Sequence, residues 1–141
     1  MAASYAGYQC LIYYGTAGTT AATQITNATD VEYNLEPQYG DTTVRGAGSA
    51  VPINTSKVVS LKPTVTFTYV DKASDSTLAA LLAAAAAGSP VAIRTKNYSS
   101  GKGYDGDCVM SVRQGAPLNG IQTYAFTCEA EDSARTPQLW V

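Results

Sequence analysis

Histidine is absent from this 141-residue sequence, and charged residues make up only 14 % of it. Without histidine, a zinc site with imidazole ligands and the usual Ser-His nucleophile pair are both impossible. Nine basic residues nearly balance eleven acidic ones, so the sequence has no cationic cluster that would bind a phosphate backbone. These absences argue against an enzyme, a histidine-based metalloprotein and a dedicated nucleic-acid-binding protein.

Cysteine is also scarce, because the three thiols Cys10, Cys108 and Cys128 lie far apart and form no CxxC motif. We predict buried or half-buried free thiols in a reducing compartment, with a single disulfide as the alternative. Residues 1–5 lack a basic region followed by an apolar stretch, and the alanine-rich run is too short to cross a membrane. We therefore expect a protein that is soluble in the cytoplasm when it is made.

Apolar residues make up 45 % of the chain, which is enough to form the core of a single domain spanning residues 1–141. Strands are predicted where apolar residues alternate or β-branched and aromatic residues cluster. These segments are residues 9–14, 31–36, 58–70, 91–96, 107–113 and 121–130. Pro37 is predicted to end the second strand, and Pro63 is predicted to mark an edge, a bulge or a bend.

An alanine- and leucine-rich segment predicts one amphipathic helix, with Asp75 or Ser76 as its N-cap and Gly88 just after its end. Three leucines fall on one face of this helix and need a sheet to cover them. These predicted core residues are Leu78, Leu81 and Leu82. The expected fold class is α+β and mainly β, an antiparallel sandwich or rolled sheet with one flanking helix.

A long polar connection, residues 37–57, separates the second strand from the third. It contains several glycines and no apolar periodicity, and connections of this length are usually functional or disordered. Acidic residues elsewhere, with Asp105 and Asp107 near Glu129, lack the spacing of a calcium loop, so we predict solvated turn or interface charges. The glycine-rich residues 96–104 are predicted to form a hairpin, because no helix follows them to complete a phosphate site.

The ten tyrosines are predicted to serve packing rather than base stacking or sugar binding. Tyr33, Tyr69 and Tyr124 fall at core positions of predicted strands. The others of interest lie in termini, loops or turns, where an amphipathic ring can anchor an interface. They are Tyr5, Tyr8, Tyr39, Tyr98 and Tyr104.

The order of these elements and several local segments resemble the tail tube (major tail) proteins of long-tailed bacteriophages, over about residues 7–130. The matching segments are GYQCLI at 7–12, ATDVEY at 28–33, TVRG at 43–46, VTFTY at 65–69, the helix with its glycine at 78–88, RTK at 94–96, GDCVMSV at 106–112 and QTYAFTCEA at 122–130.

The resemblance implies a structural subunit whose hexameric rings stack into a hollow tube that conducts DNA without binding it specifically. Strands of neighbouring subunits would line the lumen, and the long loop and extended termini would reach the next ring. The implied partners are other copies and other tail proteins such as the tape measure and terminator, and no cofactor is implied. The implied location is the virion tail, after assembly in the host cytoplasm.

On this basis we predict that residues 37–57 form an inter-ring loop with six interface residues. They are Tyr39, Asp41, Val44, Arg45, Val51 and Ile53. We also expect a near-neutral or weakly negative lumen, because cations facing DNA would bind it in every ring. Two alternatives remain open, namely a monomeric β-sandwich that binds carbohydrate or peptide and a tube subunit of a secretion or injection system.

Overall fold

The computed structural model describes residues 3–44, 51–133 and 135–141. In these residues a seven-stranded antiparallel sheet is accompanied by one α-helix and a short 3-10 turn. The order across the sheet is β2-β1-β5-β6-β7-β4-β3. The elements are β1 (Leu11–Thr16), β2 (Thr23–Gln24), β3 (Ala28–Asp41), β4 (Ser56–Val70), α1 (Ser76–Ala87), β5 (Val91–Lys96), β6 (Asp105–Gly115) and β7 (Thr123–Ala130).

The sheet is rolled, since β1 and β3 lie far apart in strand order yet come into contact. The predicted fold class, α+β and mainly β with one flanking helix, is therefore confirmed, with the antiparallel sheet rolled. The inner face of the sheet carries the core. Val65, Phe67 and Tyr69 are buried at alternating positions of β4, and the Phe67 ring stacks on Phe126 of β7 at a centroid distance of 5.0 Å.

Helix α1 begins and ends where the sequence predicts. The Asp75 side chain accepts hydrogen bonds from the backbone N–H groups of Thr77 and Leu78, and Gly88 ends the helix at φ 67°. Glycine adopts this left-handed conformation without the cost that a Cβ would bring. Leu78 and Leu81 are buried, and Leu82 is half-buried against the same core.

The Asp75 carboxylate also ties the helix to the sheet. It accepts hydrogen bonds from the Tyr69 hydroxyl at 2.6 Å and from the Asn27 amide at 2.8 Å. The Tyr69 hydrogen bond is the main cause that lowers the pKa of Asp75. The stabilisation from this carboxylate is therefore present above the pKa of the unfolded chain and is lost as pH falls through the lowered value.

Strand β3 does not end at Pro37. Instead Pro37 pairs with Leu61, and the strand continues to Asp41, so the unpaired connection is shorter than predicted. Because β3 is an edge strand, a proline without an N–H group is tolerated there. Pro63 lies next to Thr64, where the pairing of β4 with β7 ends, in agreement with its prediction as an edge residue.

The C-terminal tail folds back onto its own domain. Gln138 and Asp105 form a β-bridge, and the backbones of Val141 and Gly103 exchange hydrogen bonds of 3.1 Å in both directions. The Tyr33 hydroxyl donates to the Leu139 carbonyl at 3.3 Å. The tail thus occupies the place beside β6 beyond the end of β7, whereas an extended C-terminus was predicted.

Candidate assembly surfaces

A two-stranded arm extends beyond the rest of the sheet. Strand β7 pairs with β4 as far as Thr64, and the preceding residues 56–63 of β4 pair with β3 alone. At about 3.3 Å per residue these eight residues span roughly 26 Å. We call β3 residues 35–41, β4 residues 56–63 and their connection 42–55 the hairpin arm.

The two faces of the hairpin arm differ in polarity. On the face that continues the core, Leu35 pairs with Pro63, Pro37 with Leu61, and Tyr39 with Val58. The opposite face pairs Glu36 with Lys62 and Gln38 with Ser60. Apart from the buried Pro63 and the half-buried Pro37, the apolar face is open to solvent, with exposed fractions of 41 % for Leu35, 48 % for Leu61 and 64 % for Tyr39. A row of apolar residues left uncovered is typical of an interaction surface.

A β-bulge keeps the apolar face in phase along the arm. Between the pairs Gln38–Ser60 and Tyr39–Val58 the register shifts, because Val59 is an extra residue in β4. Val59 lies close over Gly40, where an added Cβ would come within 2.8 Å of the valine side chain. Glycine at position 40 therefore makes room for the bulge, which increases the local twist of the ribbon.

The predicted loop residues lie on this arm. Tyr39 and Asp41 belong to β3 rather than to a loop. Val44, Val51 and Ile53 lie at the tip and are 76 %, 85 % and 81 % exposed. Arg45 lies outside the described residues.

Asp41 closes the base of the tip. Its carboxylate accepts a hydrogen bond from the backbone N–H of Thr43 at 2.8 Å. Hydrogen bonds from Thr43 lower the pKa of Asp41 and keep it ionised. Across the hairpin, Thr42 and Thr55 join through both backbone and side-chain hydrogen bonds.

Strands β6, β7, β4 and β3 form a four-stranded segment of the sheet. Its two outer edges, on β6 and on β3, are open and differ from each other. Strand β5 pairs with β6 only as far as Cys108, so residues 109–115 of β6 have no strand partner on that side within the described chain. Strand β3 is the last strand of the sheet and its outer edge is open along the arm. Open edges of this kind readily pair with another chain.

The outer face of the same four strands is rich in hydroxyl groups. Ser111 of β6 lies beside Thr127 of β7, which lies beside Thr66 of β4 and then Glu32 of β3. Charges on this face are few and of both signs. The cations are Arg113, Lys62 and Lys57, and the acids include Glu32, Glu36 and Glu129. Lys62 and Glu129 form an exposed ion pair at 3.9 Å.

A second exposed apolar surface lies at the far end of the sheet from the arm. Strands β6 and β7 are joined there by residues 116–122, next to the Val70 end of β4. Leu118 is 97 % exposed and Ile121 is 68 % exposed. A tight turn, with the Gly120 N–H donating to the Pro117 carbonyl at 3.2 Å, holds this connection.

The acidic pair at the start of β6 is buried, and the prediction of solvated charges there is wrong. Asp105 and Asp107 are 5 % and 1 % exposed. Arg135 from the C-terminal tail forms ion pairs with both carboxylates. Asp107 also accepts hydrogen bonds from the Gly18 N–H and the Ser133 hydroxyl, each at 3.0 Å. The cluster is a structural clamp that holds the tail against the domain.

Replacing Arg135 with alanine is expected to destabilise the protein by about 3–5 kcal/mol, because two buried carboxylates lose their cation. Urea unfolding followed by circular dichroism measures this change. Arg113→Ala, which removes an exposed arginine, is the control and should change stability by less than about 0.5 kcal/mol. Adding Asp105→Asn to Arg135→Ala should restore part of the loss. Equal effects of the two single arginine variants would contradict the clamp.

Tyr104 is a core residue rather than the predicted interface anchor. It is 1 % exposed, and its hydroxyl lies 3.3 Å from the Cys108 sulfur. Burial raises the pKa of Cys108 to about 11 and also raises that of Cys128, so both thiols stay protonated at neutral pH. All three cysteines are free, and Cys10 is half-buried.

The remaining tyrosines do not gather into one binding platform. Tyr33 and Tyr124 pack against the core, Tyr5 stacks on Tyr98 at a centroid distance of 4.4 Å, and Tyr8 is 87 % exposed. Within the described residues no group of three acidic or cysteine side chains is placed to hold a metal ion. In the same part of the chain, no helix is long and apolar enough to cross a membrane.

No protein-family model and no curated protein sequence matches this chain. Its structure, in contrast, matches solved assemblies over nearly its whole length. A chain of the tail of an empty gene transfer agent particle, solved by helical refinement with C6 symmetry, has a TM-score of 0.74 at 14 % identity, covering 96 % of this chain and 98 % of that one. A chain of the native gene transfer agent virion has a TM-score of 0.71 at 12 % identity, with the same coverage.

A chain of the six-fold symmetrised baseplate of the anti-feeding prophage is also similar, with a TM-score of 0.58 at 11 % identity, covering 100 % of this chain and 96 % of that one. At such low identity these likenesses concern the fold. The chain therefore has the tail-tube-like fold that the resemblance in its sequence predicted.

Proposed function

We propose that this chain is a structural subunit of a phage-like tail, and that its copies form hexameric rings which stack into a tube that conducts DNA. The observation that carries the proposal is the pair of unlike open edges on β3 and β6. A subunit with two such edges joins its neighbours head to tail, and contacts of that type close into rings or continue as helices. The C6 tail of the gene transfer agent, which shares the fold, supports the closed form.

In the proposed ring, residues 109–115 of one subunit pair with β3 of the next, and the four-stranded segments join into one barrel. Backbone hydrogen bonds then cover edges that would otherwise invite aggregation. Helix α1 covers the inner, apolar face of each segment, because Leu78 and Leu81 pack into the core there. The hydroxyl-rich face, on the side of the sheet away from the core of the subunit, then lines the channel.

A channel lined by threonine, serine and a few charges of both signs would suit passing DNA. Hydroxyl groups are well hydrated, and the cations Arg113, Lys62 and Lys57 are balanced by Glu32, Glu36 and Glu129. Lys62, moreover, is paired with Glu129. Few phosphate contacts are therefore available, and each one avoided lowers the salt-dependent affinity for DNA.

The hairpin arm is proposed to join adjacent rings. Its apolar face and its tip are uncovered in the single subunit, and its length of roughly 26 Å carries them well beyond the other strands. Burying the face against another subunit would gain about 25 cal/mol per Å² of apolar surface.

Size and shape test the proposal directly. Purified protein at high concentration should give rings or tubes in negative-stain images and a high-mass peak in size-exclusion chromatography. A protein that remains monomeric in both measurements would contradict it, and would favour the carbohydrate- or peptide-binding module.

The likeness to the anti-feeding prophage baseplate chain favours a second candidate, a tube of an injection system. Tubes that exclude DNA during assembly would support that candidate.

A pair of cations introduced on the proposed lumen face should make the tube retain DNA. In Thr66→Lys/Thr127→Lys, two neighbouring side chains of the hydroxyl-rich face gain charge in every subunit. We expect normal tubes that hold nuclease-protected DNA at low salt and release it at high salt.

The matched control is Ala83→Lys/Ala86→Lys, which adds the same charge at exposed positions of α1. DNA bound by this variant should remain open to nuclease. If both variants protect DNA equally, the outer face of the four strands does not line the lumen.

A further inference from the structure

Two groups of strongly exposed apolar side chains lie at opposite ends of the sheet. At one end is the tip of the hairpin arm, with Val44, Val51 and Ile53. At the other is the β6–β7 connection with Leu118 and Ile121. Single exposed apolar residues are ordinary on a protein surface, but two groups at opposite ends of one sheet need a common explanation.

Stacking of identical rings supplies that explanation. When subunits repeat along an axis in one orientation, each contact joins the leading end of one copy to the trailing end of the next. The surface that receives the arm must therefore lie at the end opposite to the arm. Residues 116–122 are at that end, and their exposed leucine and isoleucine match the valines and isoleucine of the tip in polarity.

The charges at the two ends are complementary as well. Among the described residues of the arm, Asp41 is the charged residue on the apolar face, and its lowered pKa keeps it ionised. Lys72 is exposed at the opposite end, where the Asp71 N–H donates to the Gln122 carbonyl at 3.1 Å and holds residues 71 and 72 beside the turn. Lys72 forms no ion pair within the described residues.

We propose that the β6–β7 connection, with Lys72 beside it, is the docking surface for the hairpin arm of a second copy in the adjacent ring. This inference rests on the proposed function, since it names the surface that the arm meets. Leu118 and Ile121 contact the apolar tip, and Lys72 faces Asp41. Such a contact joins two different surfaces head to tail, so it fixes the polarity of the tube.

Cysteine cross-linking tests this contact in assembled protein. In a Cys10→Ser background, Ile53→Cys and Leu118→Cys are placed in the same chain, and a bismaleimide is added after assembly. The two native thiols that remain are buried. Because every subunit then carries both halves of the contact, denaturing gels should show a ladder of dimers, trimers and longer chains. A mixture of the two single-cysteine variants should stop at dimers.

The control pairs Ile53→Cys with Ala83→Cys, an exposed position on α1, and should give no ladder. Tubes that form normally but yield no ladder from the 53/118 pair, or an equal ladder from the 53/83 pair, would overturn the docking surface while leaving the tube itself supported. The absence of any assembly in electron micrographs of the wild-type protein would contradict both proposals.

Discussion

Leu81→Asp is expected to prevent folding. Leu81 is completely buried, with 0 % exposure, where α1 meets the sheet. Truncating such a leucine costs about 2–5 kcal/mol, and a carboxylate in its place adds the cost of an unpaired buried charge. Since a domain of this size is stable by about 5–15 kcal/mol in total, the two costs together should exceed or nearly exhaust its stability.

We expect the Leu81→Asp protein either to be found in the insoluble fraction or to be soluble without a cooperative unfolding transition. Ala83→Asp places the same group two residues away, on the exposed side of the same helix. It should fold and assemble, with a loss of less than about 1 kcal/mol from helix propensity. If soluble Leu81→Asp protein assembled normally, α1 would not be the support of the core that the structure describes.

Most of the fold could be predicted because its signals are local. The alternation of Val65, Phe67 and Tyr69 with threonines marks one buried face of a strand, and all three are buried. Asp75 and Gly88 cap the predicted helix through hydrogen bonds and backbone angles that involve only adjacent residues. Such features depend on the period of the pattern and on short-range geometry, both of which are readable in the sequence.

The parts that could not be predicted depend on distant contacts. In the sequence, Asp105 and Asp107 resemble surface charges. The cation that pairs with them, Arg135, lies about thirty positions later in the chain. Tyr104 follows a glycine-rich turn, but the tail and β6 enclose it. A carboxylate or a phenol can be buried wherever a partner reaches it, and the spacing of residues does not reveal that partner.

The hairpin arm shows that a proline in the sequence does not always end a strand. Pro37 would end a central strand, but it is tolerated in β3 because that strand lies at the edge. The connection between the two strands is therefore residues 42–55, and the apolar alternation that begins at Tyr33 continues through Leu35 and Tyr39. Residues 37–41 and 56–57 of the predicted polar loop therefore belong to paired strands, and Val44, Val51 and Ile53 are exposed beyond them.

Substitutions at two adjacent residues of the hairpin arm can distinguish a specific apolar contact from a general effect of changing the arm. Leu61 lies on the apolar face and Lys62 on the polar face. They therefore serve as a matched control pair for the truncation described next. If the apolar face makes the contact between rings, Leu61→Ser should weaken stacking more than Lys62→Ser, whose exposed ion pair is worth at most about 1 kcal/mol.

Removal of the arm should leave a folded subunit that cannot stack. Replacing residues 39–59 with Asn-Gly closes the hairpin at the paired residues Gln38 and Ser60, and a two-residue Asn-Gly turn matches the twist of such a hairpin. Residues buried in the core are untouched, so thermal unfolding should remain cooperative. The β3 and β6 edges also remain, so single rings are allowed. Ordering the arm costs about 1–2 kcal/mol per residue in backbone entropy, and in the proposed tube a docking surface in the next ring would offset that cost. Electron micrographs should accordingly contain rings or monomers in place of tubes, and normal tubes from the truncated chain would show that the arm does not join the rings.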